Sequence, residues 1–397
     1  MKLLLILILP TFLFSLQLST LIENATKNHT SLKTIQQRVN AVDDALDIAQ
    51  NFTDPVVSLS VSDIQFDDIT DRTREPMQTT ALNLQQKIPY FGKRDALSKK
   101  IKAEKRVLEL NIEEMKVRLV KAIKITAYSI WQVEEELKVL DKYIELTKQN
   151  ISLSNSYTSI DNASHMGIMS AEMTLSELQI KQSKLDSHLK ELYKKISYLS
   201  AMEVTKLDLS LEMKPYKPIA LYTKMKSKNS SYQIKKAAIK VNQEDIHVKE
   251  LNKYADPVVS AGYFHRNNFN DYANIGISFS LPLYGTQESH VQKAKKLLLA
   301  SKSNIVDFDN LLDSKISQVY AKIKSEYKVY NIIQKQSLPK IEHMFALSSS
   351  SIKNGNKLSI YIDLLERKLA LDEKSIDAVA SYNKDLAQLE SLVGARK

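Results

Sequence analysis

Asp54-Pro55-Val56-Val57-Ser58 recurs letter for letter as Asp256-Pro257-Val258-Val259-Ser260, 202 residues further on. A second landmark follows each copy. It is Ile88-Pro89-Tyr90-Phe91-Gly92 in the first half and Leu281-Pro282-Leu283-Tyr284-Gly285 in the second, at an offset of 193 residues. A chain that carries the same ordered signals twice is built from two structural repeats. The landmarks lie nine residues further apart in the first half, so the extra length falls in a loop between them.

What lies between the landmarks alternates. Val57, Leu59 and Val61 interleave with Ser58, Ser60 and Ser62, and Leu82 and Leu84 with Asn83 and Gln85. In the second half Val259, Ala261 and Tyr263 interleave with Ser260 and Gly262, and Ile275, Ile277, Phe279 and Leu281 with Asn274, Gly276, Ser278 and Ser280. Period two means strands with one apolar and one polar face. Each half therefore predicts a hairpin, over 55–89 and 257–283. Strands of about ten residues, the length that crosses an outer membrane when tilted, are joined by polar loops at Phe66–Pro76 and His265–Tyr272.

Outside the landmarks the chain reads as helix. Only 7 Gly and 9 Pro occur in 397 residues, so the elements are few and long. Residues 93–166 hold neither type. Leu108, Ile112, Met115, Leu119 and Ala122 step by four and three, and Leu137, Leu140 and Ile144 continue that spacing as a heptad seam. About 60 helical residues would reach ~90 Å. Residues 286–338 form a second long helix, expected to end at Pro339. Shorter helices precede the hairpins at Leu32–Ala49 and Ser231–Tyr254. Reversals fall near Ser152–Gly167 and Lys353–Lys357, and return helices at Ile168–Leu199 and Leu358–Leu392. The organisation reads as a leader over 1–15, a first repeat over 16–200, a linker over 201–219 around Met213-Lys214-Pro215-Tyr216-Lys217-Pro218, and a second repeat over 220–397. Neither repeat is expected to hold a compact core of its own.

Lys2, the apolar run Leu3–Phe14 and the small Ser15 form a secretory signal, too short to span a bilayer. No later run approaches the length of a transmembrane helix, which leaves strands free to cross a membrane. There is no cysteine, hence no disulfide framework, cysteine-ligated zinc, cysteine nucleophile or acylated N-terminal cysteine. Net charge is +10, with Lys and Glu interspersed along the helices as on solvated faces. No aromatic–Arg pattern points to nucleic acid. The seven histidines form no HExxH pair, and neither a phosphate-cradling Gly loop nor GxSxG occurs, so neither an enzyme nor a cofactor is expected.

Four strands cannot close a barrel, since single-chain barrels start at eight. Open strand edges cannot face lipid, because their backbone groups go unpaired. Hairpins in a membrane therefore require several copies of the chain. Pro89 and Pro282 stand where each strand hands over to a long helix, and Gly92 and Gly285 relax the corner. Tyr90, Phe91 and Tyr284 lie at the same junction, as girdle aromatics at a membrane interface or as corner packing.

The two-fold layout resembles the TolC family of outer-membrane efflux proteins. Gln86-Lys87-Ile88-Pro89-Tyr90-Phe91-Gly92-Lys93-Arg94 looks like that family's first strand-to-helix junction, and Ser278-Phe279-Ser280-Leu281-Pro282-Leu283-Tyr284-Gly285 like its second. The resemblance runs from about Leu21 to Val393. It implies a mainly α fold with a small β part, in which a homotrimer shares a twelve-stranded β-barrel in outer-membrane lipid. A trimeric α-barrel would continue it through the periplasm. The implied role is the passive exit duct of a tripartite system, joined by a periplasmic adaptor to an inner-membrane pump, for small toxic compounds or metal ions.

Ile362-Asp363-Leu364-Leu365-Glu366 resembles the family's acidic tip segment. Asp363 and Glu366 would then gather into rings that favour cations, or else be surface charges on a helix. Gly355 stands eight residues before Asp363, where the family usually has six, so the neighbouring basic position carries over loosely to Lys357. At the first repeat's tip Gly167 and Ser170 fit the family pattern, but Met173 stands where an acid is common. With His165, Met166 and Met169 it makes a group whose thioethers share a helix face and would suit Cu(I) or Ag(I). Packed methionines in a helical barrel are the preferred reading. The Gly-Lys-Arg junction also resembles members that serve metal-ion pumps. A protein-secretion duct of the same family and a soluble exported coiled-coil adaptor or structural protein stand as alternatives. A porin would need many more strands per chain.

Overall fold

The computed structural model describes residues 16–157, 162–349 and 358–394. The expected leader, Lys357 and Gly355 lie outside these residues. The chain forms two compact units, each drawing on both halves of the sequence.

The first unit runs through Thr34, from Ile112 to Ser230 and from Asp309 onward. Strand β1 (Leu16–Gln17) pairs in parallel with β4 (Leu207–Asp208). Helix α1 (Leu18–Asn28) follows; Leu21 and Ala25, four apart on one face, are fully buried. They join a core with Ile123, Ala127, Ile130 and Val133 of the long helix α3 (Lys93–Tyr157) and Leu192 and Ile196 of α4 (Asn162–Ser200). A second core packs Leu140, Tyr143, Ile144 and Ile151 of α3 on Ile168, Ala171 and Leu178 of α4 and on Tyr361, Ile362, Leu365 and Leu369 of α9 (Leu358–Leu392).

These cores correct the expected seam. Leu119, Leu140 and Ile144 are buried, but Leu108, Ile112, Met115, Ala122 and Leu137 are only half-buried, and the fully buried stripe runs through Ile123, Ala127 and Ile130. A straight helix drifts about 20° per heptad against a 3.5-residue repeat, so a long strict seam would need supercoiling to stay on one face. The first reversal is also tighter than expected. Helix α3 continues to Tyr157 and α4 begins at Asn162, because Ile151 and Ile168 hold both helices in the second core.

Pro339 does not end its helix. Helix α7 (Thr286–Ile332) passes through a π turn (Ile333–Ser337) directly into α8 (Leu338–Ser349). Proline lacks the N–H for the carbonyl four residues back and its ring clashes there. Widening the turn before it absorbs both problems without stopping the helix. Before the first hairpin stand two helices where one was expected: α1 precedes α2 (Thr30–Gln50), with only His29 between them. Past the proline pair of the linker, α5 (Ile219–Met225) and a 3₁₀ turn (Lys226–Lys228) open the second repeat.

The second unit spans Ile35–Asn111 and Ser231–Phe308. Strands β2 (Val56–Val61), β3 (Thr80–Lys87), β5 (Val258–His265) and β6 (Tyr272–Ser278) form one antiparallel sheet in the order β2-β3-β5-β6. They are six to eight residues long, shorter than the ten expected. Helix α6 (Ser230–Leu251) leads into β5 and has no buried residue. Lys100 bridges α3 to Asp245 of α6 at 2.9 Å, and Lys105 bridges α3 to Asp43 of α2.

Candidate functional site

The sheet sorts its side chains by face. The ladder sets Val57 opposite Leu84, Leu84 opposite Ala261 and Ala261 opposite Ile275. It likewise sets Leu59 opposite Leu82, Leu82 opposite Tyr263, and Val259 opposite Ile277. Every alternating apolar residue thus falls on one face. The other face carries Ser58, Asn83, Gly262 and Asn274 in one row and Val56, Gln85, Ser260 and Gly276 in another, with Ser60, Ala81, Phe264 and Tyr272 in a third. The apolar face is open: Leu59 is 74% and Ile275 84% exposed. The outer edges of β2 and β6 have no strand beside them among the described residues. An exposed apolar face with two unpaired edges marks a surface suited to a nonpolar medium or to strand partners.

The repeated landmarks build matching corners. Gly92 has φ +84° and Gly285 φ +69°, the left-handed region that glycine enters without penalty. A Cβ on Gly285 would meet nothing within 4 Å, so conformation rather than space requires glycine there. Each carbonyl caps the following long helix, accepting from Ala96 at 2.9 Å and from Ser289 at 3.0 Å. Pro89 and Pro282 stand just past the strand ends. Phe91 and Tyr284 project outward at 92% exposure each, while Tyr90 stacks on Tyr254 with ring centres 4.6 Å apart.

A residue that sequence reasoning passed over locks the first corner. Asp256 accepts the Tyr90 backbone N–H at 2.8 Å and the Lys93 ammonium at 2.7 Å, with Lys87 at 3.3 Å. Partial burial raises its carboxyl, but the Lys93 and Tyr90 hydrogen bonds and the lysine charges outweigh this and hold it below the usual value of 3.8. The signal was present in the repeated Asp-Pro pair, whose acid has no role in strand pairing. Arg94 adds a second tie, lying over the Phe52 ring at 4.0 Å and donating to the Gln50 carbonyl.

At the tip of the first unit, Asp363 and Glu366 share the exposed face of α9, one turn apart, opposite the buried Ile362 and Leu365. Asp363 pairs with Arg367 at 2.9 Å, and Glu366 accepts from the Thr174 hydroxyl of α4 at 2.8 Å. Deeper along α9, Tyr143 of α3 donates to Asp372 at 2.8 Å and Lys181 of α4 pairs with Glu373. His165, Met166, Met169 and Met173 all lie on exposed positions of α4, Met166 at 73%. Packing within the chain therefore does not account for these methionines. Among the described residues no group of three or more His, Cys, Asp or Glu side chains could hold a metal ion. No helix among them is long and apolar enough to cross a membrane.

No family model matches the chain, and no curated protein sequence does. Solved structures do. The outer membrane protein VceC from Vibrio cholerae superposes with a TM-score of 0.75, at 14% identity over 96% of this chain and 97% of its own. A membrane protein from Pseudomonas aeruginosa gives 0.78, at 9% identity over 96% and 91%. The open state of the MtrE outer membrane channel from Neisseria gonorrhoeae gives 0.75, at 12% identity over 95% and 88%. The chain has the fold of outer-membrane channels, mainly helical with a small sheet. It is the TolC-like fold that the junction motifs imply.

Proposed function

We propose that this chain is one protomer of an outer-membrane exit duct, the passive outlet of a tripartite efflux system. The observation that carries the reading is the exposed apolar sheet face bounded by two unpaired edges. Lipid covers such a face, and further copies of the chain complete its edges. A soluble coiled-coil adaptor explains the helices but leaves that face in water. Three copies, as the TolC resemblance implies, make a barrel of twelve strands. The helices then extend into the periplasm toward an adaptor and an inner-membrane pump, which supplies the energy.

In this assembly Phe91 and Tyr284 stand at the membrane interface, and Asp363 and Glu366 line the periplasmic constriction as acidic rings. The cargo is small toxic compounds or metal ions. The methionine face of α4 offers soft thioether ligands beside the mouth, which suits Cu(I) or Ag(I) as one such cargo.

Fractionation of cells expressing the full chain tests the reading. The expected product is in the outer membrane, needs detergent for extraction, and runs as a heat-modifiable oligomer. A soluble periplasmic monomer overturns it.

A further inference from the structure

A polar layer separates the two hydrophobic cores of the first unit. Glu136 of α3 stands between Val133 of one core and Leu140 of the other, and Lys181 of α4 between Leu178 and Leu192. Gln132 gathers the layer. Its amide donates to Glu136 at 2.8 Å and to Asp377 of α9 at 3.2 Å, and its carbonyl accepts from Lys384 at 2.7 Å. Lys181 donates to Oε2 of Glu373. The carboxylates of this layer differ in their company. Asp377 is exposed, Glu373 is paired with Lys181, and Glu136 is half-buried with no ion pair among the described residues.

Oε1 of Glu373 is the anomaly. It is buried and takes no hydrogen bond among the described residues. A buried acceptor without a donor is costly and uncommon in a folded chain. The nearby lysines are committed, Lys181 to the other oxygen and Lys384 to Gln132. Helices α3 and α9 run antiparallel here, since Tyr143 meets Asp372 and Gln132 meets Asp377. Glu136 lies between Gln132 and Tyr143, which sets it opposite the turn that carries Glu373. A carboxyl can supply the missing donor once it carries a proton.

We propose that Glu136 holds a proton and donates it to Oε1 of Glu373, so that a carboxylic acid–carboxylate hydrogen bond joins α3 to α9. Burial raises the Glu136 carboxyl above its ordinary value of 4.5. The Gln132 hydrogen bond and Lys181 oppose this, and the charges of Glu373 and Asp377 add to it. Of the other charged groups around the layer, Lys384 has an ammonium that burial lowers, Asp372 is taken by the Tyr143 hydroxyl, and Glu326 of α7 adds a further acid beside Asp377. Two carboxyls that face one another in a half-buried layer share one proton more readily than they hold two charges. Among the described residues no acidic group has the geometry to hold a metal ion, which leaves the proton as the ligand that answers the orphan oxygen.

The result is a clasp that tightens in acid. The folded value of Glu136 lies above the unfolded one, so its charged form weakens the layer at high pH. That cost is lost as pH falls through the folded value, and stability rises until the unfolded chain also binds the proton near 4.5. Glu373 lies about two turns from Glu366 on α9, so the clasp holds the base of the tip. The pair lies within one chain, and its failure would leave the duct reading untouched.

Infrared difference spectra of the full-length, detergent-extracted protein from about pH 8 to about pH 5 test the proposal, because a protonated carboxyl has a carbonyl stretch that a carboxylate lacks. The expected result is an acid band that Glu136→Gln removes and Glu373→Gln shifts, while Glu326→Gln, at another carboxyl that burial raises, leaves it in place. Thermal unfolding gives a second readout. Glu136→Gln drops the charge and keeps a donor for Oε1, so it should unfold at a higher temperature than the unaltered protein at the alkaline end, with the gap closing at the acid end. Glu136→Leu offers no donor and should fall below Glu136→Gln at both. An acid band that survives Glu136→Gln, or that Glu373→Gln does not move, overturns the proposal. So does a Glu136→Gln chain that is less stable than the unaltered protein at the alkaline end, or one that Glu136→Leu matches.

Discussion

Asp54 and Asp256 open the same five-letter motif, yet one is solvated and the other is held by two lysines and a backbone amide. Identical local sequence does not set a carboxylate's state; what the fold brings beside it does. Because the folded Asp256 carboxyl lies below its ordinary value of 3.8, its contribution to stability is fully present above that value. It fades as pH falls through the lower folded value. Asp256→Asn should therefore lower stability by about 1–2 kcal/mol at pH 7, allowing for partial solvent screening. The difference should narrow between pH 7 and a pH well below 3.8. Thermal unfolding of both proteins at the two pH values checks this, and a gap that persists unchanged in acid contradicts the assignment. The glycines at the two corners were legible beforehand, because a glycine that follows a proline at a strand-to-helix handover has few other uses.

Among the elements, strands were read most accurately in phase and least accurately in length. Alternation is a property of neighbouring letters, whereas strand ends depend on which partner is present. Phe279 and Ser280 alternate as strand but have no partner in the single chain. The long helices were legible from the scarcity of glycine and proline, but their buried face was misplaced by one residue, at Ile123 instead of Ala122. A heptad template assumes supercoiling, and only the packing of α1 and α4 against α3 decides which stripe is covered. Ile130→Ala, which removes a fully buried side chain from that core, should cost about 2–5 kcal/mol. Leu108→Ala, at a half-buried heptad position, should cost at most about half as much. Denaturant unfolding of the two variants compares the stripes. Pro339 is the opposite lesson: a residue rule said stop, and the helix continued because one π turn made room.

For the whole molecule the open features are the ones that the proposed assembly would cover. Helix α6 without a buried residue, the bare sheet face and the exposed tip acids are the surfaces that this chain leaves open. If Asp363 and Glu366 line a shared constriction, their neutralisation changes permeation without changing the fold. Asp363 is already paired with Arg367, whereas Glu366 accepts from the Thr174 hydroxyl and has no ion-pair partner among the described residues. Glu366→Gln should thus reduce cation preference, read as the reversal potential across a planar bilayer under a salt gradient, more than Asp363→Asn does. The double variant should approach non-selectivity. An unchanged reversal potential in the double variant places these acids outside the conduction path.

By itself the sequence determined the duplication, the phase of the four hairpin strands, the corner glycines and the insufficiency of four strands, because these follow from local stereochemistry and from counting. Only the tertiary structure decided that the two hairpins join through β3 and β5, that Asp256 and not Asp54 is clamped, and which stripe of α3 is buried. Those outcomes depend on residues more than a hundred positions apart meeting in space, and no local pattern records which of several equivalent partners is nearest.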